Sequence, residues 1–321
     1  MKAFAAWLNS RMAGVQHIEV DADREGQRID NFLIGQFSKL PKPLIYRWIR
    51  KGDLRVNKKR IKQTYRVKPG DIVRVPPFIL EEEAPAKVSD DHLAFLESLI
   101  LFENADYMII NKPSGIAVHG GSGVNSGLIE RLRQLRPQAK KLELAHRLDK
   151  ETSGCMIIAK KYSILTYFHE ALKKREVQKT YHALVHGSWS NKVKQIDLPL
   201  KRHLLPHGER MVRVDKREGK DALTSVRILQ KLDQYTLVEA MPHTGRTHQI
   251  RVHLAAYNCP IVCDKKYGIA DKDQVLIKKG FNRLFLHSAN LSFKDPKTGE
   301  DMHFEAPYDR DCITMLTSFL K

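Results

Sequence analysis

Apolar positions along this chain fall into two regions with different rhythms. Between residues 28 and 75, Ile29, Phe32, Leu33, Phe37 and Leu40 recur at helical spacing, and Leu44 to Ile49 predict a second helix that starts after Pro43 and ends at Gly52. Leu54 to Val56, Ile61 and Val67 to Val75, broken by Asn57-Lys58-Lys59-Arg60 and by Pro69-Gly70-Asp71, predict short strands joined by turns. Pro76-Pro77, Glu81 to Glu83, Pro85 and Asp90-Asp91 then interrupt any regular pattern and predict a linker.

Beyond the linker the rhythm changes to short apolar runs: Leu99 to Phe102, Tyr107 to Ile110, Met156 to Ala159, Tyr181 to Val185, Ser225 to Leu229, Thr236 to Ala240 and Leu284 to Leu286. They alternate irregularly with helical stretches such as Ser163 to Lys174. This mixture predicts an α+β domain with a mixed, mainly antiparallel sheet flanked by helices. The expected division is an extension over 1–16, a small α+β module over 17–78, an acidic linker over 79–97 and a large domain over 98–321. No internal repeat is visible.

Length agrees with two domains, since 321 residues exceed what one small core accommodates. Charge sharpens the picture. The chain carries a net +18, and residues 27–75 contribute more than half of it, with 14 lysines and arginines against three acids. A polyanion is the expected partner. Arg47, Arg50 and Lys51 on the second helix, beside the loop Lys58-Lys59-Arg60, predict one positive platform for phosphates. Four scattered cysteines form neither a disulfide framework nor paired zinc knuckles, which points to a reduced, cytoplasmic protein. No apolar run approaches the roughly 20 residues of a membrane span. Residues 1–13 lack the continuous apolar core of a signal peptide and are expected to form an amphipathic extension.

Candidate chemistry concentrates in His146-Arg147-Leu148-Asp149-Lys150-Glu151-Thr152-Ser153-Gly154. If Leu142 to Asp149 is extended, Arg147 and Asp149 share the face opposite the leucines. Three further blocks stand out: Asn111-Lys112-Pro113-Ser114-Gly115, which lacks the Lys-Ser/Thr ending of a nucleotide-binding loop; Lys179-Thr180-Tyr181-His182-Ala183; and His243-Thr244-Gly245-Arg246-Thr247-His248-Gln249-Ile250-Arg251-Val252-His253. A lone turn or a lone strand tyrosine is more often structural than catalytic. The histidines do not predict a metal site, because His248 and His253 are five apart and leave a common helical face. A glycosidase needs a second carboxylate, and Asp149 has no evident partner acid. One acid accompanied by arginines and an aromatic ring suits a flipped nucleotide better.

The run from Gln27-Arg28-Ile29-Asp30 through Ile49-Arg50-Lys51-Gly52 to Val67-Lys68-Pro69-Gly70-Asp71 resembles an S4 RNA-binding domain, departing from it at Pro41-Lys42-Pro43, where a Ser-Arg pair commonly opens the second helix. The four chemical blocks, which follow one another along the chain in the family's order over about residues 100 to 265, resemble the RluA family of pseudouridine synthases, and most closely its members that act on large-subunit (23S) rRNA. Cys155 stands where the family usually has an aliphatic residue. The resemblance implies the pseudouridine synthase fold and an isomerase that converts uridine to pseudouridine. It implies that Asp149 acts at C1′ of the uridine, that Arg251 pairs with Asp149 and holds its charge, and that Tyr181 stacks on the flipped base. Arg147 would occupy the vacated place in the RNA, the Lys112-Pro113 loop would shape the cleft wall with Lys112 on the RNA side, and Arg246 would serve RNA phosphates or the turn. No metal, nucleotide or other cofactor is implied, because the isomerisation needs neither electrons nor a phosphoryl group. The expected partner is large-subunit rRNA or a ribosome-assembly intermediate, and the expected state a monomer. The competing reading is a non-catalytic RNA-binding or ribosome-assembly factor on the same fold, in which replacing Asp149 would change nothing; a metal-dependent nuclease comes third.

Overall fold

The computed structural model describes residues 12–37, 40–79, 90–120, 127–139, 142–204 and 210–319. The chain divides into two compact units, one of residues 1–89 with 161–163, the other of 90–160 with 164–321.

The first unit contains, in order, β1 (Met12–Ala13), β2 (Gln16–Glu19), α1 (Ile29–Gln36), α2 (Lys42–Lys51), β3 (Arg55–Val56), β4 (Lys59–Arg60), β5 (Ile72–Val75) and β6 (Phe78–Ile79). Strands β2, β5, β3 and β4 form an antiparallel sheet in that order, and β1 pairs with β6. The helices bury Phe32, Leu33, Ile45 and Trp48 in one core with Val73 and Val75 of β5. The second helix begins at Lys42 rather than after Pro43, because proline is accepted in a first turn where no intrahelical N–H is needed. It ends at Gly52, whose φ of +78° is left-handed. Asn57 and Lys58, at φ +48° and +65°, make the tight β3–β4 turn. Asparagine suits the first of them, since its side chain bonds both the Asp71 carboxylate and the Ile72 N–H.

The second unit runs α3 (Asp90–Ser98), β7 (Ile100–Glu103), β8 (Tyr107–Lys112), α4 (Leu128–Leu135), β9 (Glu143–Leu144), β10 (Ser153–Ala159), α5 (Tyr162–Lys174), β11 (Gln178–His186), β12 (Gln195–Asp197), β13 (Leu200–Leu204), β14 (Arg210–Val214), β15 (Leu223–Leu232), β16 (Tyr235–Pro242), α6 (Gln249–Ala256), α7 (Ala270–Lys278), β17 (Leu286–Lys294), β18 (Asp301–Glu305) and α8 (Arg310–Thr317). Its large sheet has the order β12-β15-β16-β11-β17-β10-β8-β7, with β18 on β17 and β9 on β10. Among the described residues only the β10–β17 pair is parallel. The sheet is therefore mixed and mainly antiparallel, as its apolar runs predict. Every residue of β10 is buried, which explains its unbroken apolar run.

Two expectations change. Within the expected linker, residues 80–89 lie outside the described residues, and 90–98 form α3, whose Leu96 enters the core. The stretch from Leu142 to Asp149 is a strand only at Glu143–Leu144; after it the backbone bends and Asp149 sits in a loop. The N-terminal extension lies outside the described residues up to 11, and Met12–Ala13 is strand.

Candidate active site

The Asp149 loop is fixed from below by the Asn111-to-Gly115 turn. Gly115 N–H donates to Lys150 O at 2.9 Å and Ser114 Oγ to Glu151 O at 2.7 Å. Lys112 completes the clamp. Its Nζ donates to the carbonyls of Pro113, Ile116 and Lys150 at 2.8, 2.9 and 3.0 Å, three acceptors for the three protons of an ammonium. Lys112 is fully buried, and burial pushes its amine down to about 7. It therefore has no access to RNA, and its expected place on the RNA side of the cleft is corrected to a support beneath the acid.

After the loop the chain enters β10 through Ser153 and Gly154. Gly154 has φ +107°, and a Cβ there would overlap the Ser288 backbone of β17, with its nitrogen only 2.6 Å away. Glycine is what lets the two parallel strands meet. Ser153 Oγ accepts from Arg283 Nη2 at 3.1 Å and lies 2.9 Å from His287 Nδ1, while His287 Nε2 lies 2.9 Å from Ala306 O. This chain of bonds fits a neutral His287 protonated on Nε2, and burial lowers its pKa to about 4.

Asp149 faces a cavity of about 640 Å³ that Arg147, Lys150, Lys265, Lys266 and Arg283 also line. A third of its side chain is exposed. Its Oδ2 lies 3.3 Å from Arg251 Nη1 and 3.7 Å from His248 Nε2, and among the described residues no hydrogen bond falls on Oδ1. Arg251 comes from α6 and is 7% exposed, but its tight bonds go elsewhere: Nε and Nη2 donate to the two oxygens of buried Asp264, both at 2.7 Å. Its guanidinium also stacks over the Tyr267 ring at 5.1 Å. Burial works against the arginine's charge, but the bonds and charge of Asp264, with Asp149 behind them, more than offset it and raise the pKa. Backbone N–H groups of Lys266 and Tyr267 donate to Asp264 at 2.9 and 3.2 Å.

The other expected residues separate. Arg147 is exposed at the cavity wall. Tyr181 is 7% exposed in β11 and is not among the residues lining this cavity; burial raises its phenol pKa, with the Asp149 charge adding to the shift. Arg246 is exposed, and its Nε donates to Asp221 O at 3.0 Å, tying down the turn. In the first unit Arg47, Arg50, Lys51, Lys58, Lys59 and Arg60 are all exposed, and Arg60 reaches the Lys51 carbonyl at 3.4 Å, so hairpin and helix adjoin. The four histidines His146, His243, His248 and His253 have separate partners: His146 Nε2 accepts the Ile157 N–H, His243 pairs with Ser225, His248 with Tyr267, and His253 with Thr224 and Leu198. Sequence reasoning missed Asp264, Tyr267 and the nearness of His248. The signal available was the acid in Cys263-Asp264-Lys265-Lys266-Tyr267, a charged turn shortly after α6.

A cleft with a partly exposed aspartate beside a buried arginine, on a mixed sheet of this kind, is the class defined by the RNA pseudouridylate synthase family, which matches residues 106–256, while the S4 domain family matches residues 27–73. A ribosomal large subunit pseudouridine synthase C of Yersinia pestis is 49% identical over 94% of this chain and 96% of its own length, and that of Escherichia coli K12 is 47% identical over 94% and 96%. Among solved structures, human RNA pseudouridylate synthase domain containing 4 superposes with a TM-score of 0.58 at 25% identity, over 71% of this chain and 96% of that one. Human RNA pseudouridylate synthase domain containing 1 gives 0.54 at 26%, over 65% and 82%. The chain belongs to the pseudouridine synthases and carries an S4 domain in front of the catalytic unit. Among the described residues no helix is long and apolar enough to cross a membrane.

Proposed function

We propose that this enzyme converts specific uridines of large-subunit (23S) rRNA to pseudouridine, with Asp149 as the catalytic group. The observation that carries this reading is a partly exposed carboxylate held beside a buried, charged arginine at the floor of a cationic cleft. The target uridine is flipped out of its helix, at a cost of a few kcal/mol offset by phosphate contacts. Asp149 acts at C1′ as the C1′–N1 bond breaks and its electron pair goes to the base. The uracil turns, a C1′–C5 bond forms, the C5 proton leaves and N1 gains one, so the product is an isomer and no cofactor is consumed. Arg147 fills the space the uridine leaves, and the exposed cations of the S4 domain hold the surrounding RNA; Tyr181, buried behind the cavity lining, reaches the base only if the lining opens on binding. The relatives' named activity on the ribosomal large subunit supports this choice of substrate.

The test is a pseudouridine map of large-subunit rRNA from a strain lacking the gene, complemented with wild type or Asp149→Asn. Wild type should restore its sites and the variant none. Restoration by both would refute the role of Asp149 and favour an assembly factor.

A further inference from the structure

His248 has a backbone and a set of contacts that a merely structural residue does not need. It caps α6 at φ +52° and ψ +21°, a left-handed conformation that costs a non-glycine residue energy, and its side chain makes no capping bond to the helix. Instead Nδ1 lies 2.7 Å from Tyr267 Oη, and Nε2 is turned toward Asp149 Oδ2 at 3.7 Å. Tyr267 Oη already accepts the Val212 N–H at 3.1 Å, so its own proton is free to go to Nδ1. With the Tyr267 hydroxyl donating to Nδ1, the imidazole proton sits on Nε2, the nitrogen facing the acid. Burial lowers the His248 pKa; the Asp149 charge opposes that shift, and the cationic Arg251 and Lys266 reinforce it.

We propose that His248 is a positioning residue for the isomerisation: a neutral imidazole, oriented by Tyr267, that is the second donor to Oδ2 of Asp149 and so leaves Oδ1 to meet C1′ of the uridine. This rests on the proposed role of Asp149. At 3.7 Å the contact is longer than a hydrogen bond, and it closes when substrate draws the carboxylate into place. Arg251 and His248 thus grip the same oxygen, each anchored from behind by its own partner, Asp264 for one and Tyr267 for the other.

Two substitutions separate this role from a backbone role. Asparagine tolerates the left-handed conformation but its amide stops at the level of Nδ1, whereas glutamine reaches the level of Nε2 and carries a donor there. Single-turnover pseudouridine formation is measured at saturating enzyme on a large-subunit rRNA fragment, together with RNA affinity and thermal melting, for wild type, His248→Gln, His248→Asn, His248→Leu and Tyr267→Phe. With RNA affinity unchanged, His248→Gln should stay within about fivefold of wild type, and the Asn and Leu variants should fall on the order of 10- to 100-fold. Tyr267→Phe keeps the ring over Arg251 but withdraws the proton from Nδ1; it should fall in the same direction, and it stands in for any His248 variant that does not fold. Asparagine matching or exceeding glutamine would overturn the inference in favour of a backbone role. So would wild-type rates in the Leu or Phe variant. A wild-type protein that forms no pseudouridine is a different result, which refutes the proposed function itself.

Discussion

The acid at the centre of the cleft is held loosely and its arginine tightly. Arg251 gives its two short bonds to Asp264 and only a 3.3 Å contact to Asp149. A carboxylate locked in a short bidentate pair would have to break it before reacting, whereas here the locking acid, Asp264, and the proposed reacting acid, Asp149, are different residues. Asp264 supplies the countercharge that lets a guanidinium stay charged inside the fold, and Asp149 uses the part of that charge left over. Replacing Asp264 by asparagine should therefore damage both stability and chemistry. Removing one partner of a buried ion pair typically costs about 3–5 kcal/mol, and Arg251, with its anchor weakened, should turn onto Asp149 and slow the reaction more than it weakens RNA binding. Thermal melting and single-turnover rates on the same preparation check this. An Asp264→Asn protein as stable and as fast as wild type would show that the pair is dispensable.

At the scale of elements, the site stands where β10 and β17 meet in parallel, and the bonds joining them carry a pH dependence. His287 of β17 is neutral between Ser153 and Ala306, with its pKa lowered to about 4 by burial. An unfolded chain protonates this histidine near 6.5, so between pH 6.5 and 4 the unfolded state binds a proton that the folded state does not. Its contribution is intact above pH 6.5 and declines by about 1.4 kcal/mol per unit below it, levelling off near pH 4. Melting temperature against pH should thus fall less steeply over this interval in His287→Gln than in wild type, and identical slopes would refute the assignment. The strands themselves were legible in the sequence: the runs at Tyr107, Met156, Tyr181, Ser225 and Thr236 are all in the sheet, because period and β-branching are local properties. Their spatial order was not, and neither was the parallel β10–β17 pair, which depends on Gly154 lying against Ser288 far along the chain. The site shows the same division. The stretch around Asp149 and the block around Arg251 stand out by composition, whereas Asp264 is unremarkable until α6 brings Arg251 back beside it. Lys112 was misread because a lysine is ordinarily exposed, and only the three converging carbonyls show why this one is not.

Across the whole molecule, charge and chemistry occupy different parts of the chain, and that separation can be measured. The S4 domain concentrates cations on α2 and the β3–β4 hairpin, with Arg47, Arg50 and Lys59 all exposed. Asp149, the proposed reacting acid, lies in the other compact unit. Phosphate contacts release counterions, so each one lost reduces the slope of log affinity against log salt by about 0.7 to 0.9, according to whether the RNA is single-stranded or paired. A variant with Arg47, Arg50 and Lys59 all changed to alanine should bind an rRNA fragment more weakly at moderate salt, with a slope shallower by about two to three if all three touch phosphates. Because these side chains lie on the surface of a separate unit, melting should change little, and the single-turnover rate at saturating enzyme should match wild type. Asp149→Asn should give the opposite pattern, with salt-dependent binding intact and no product. A charge-depleted S4 domain that lowered the saturated rate as much as the affinity would mean that this domain helps to set the uridine at the acid. An unchanged slope would mean that the platform faces solvent rather than RNA.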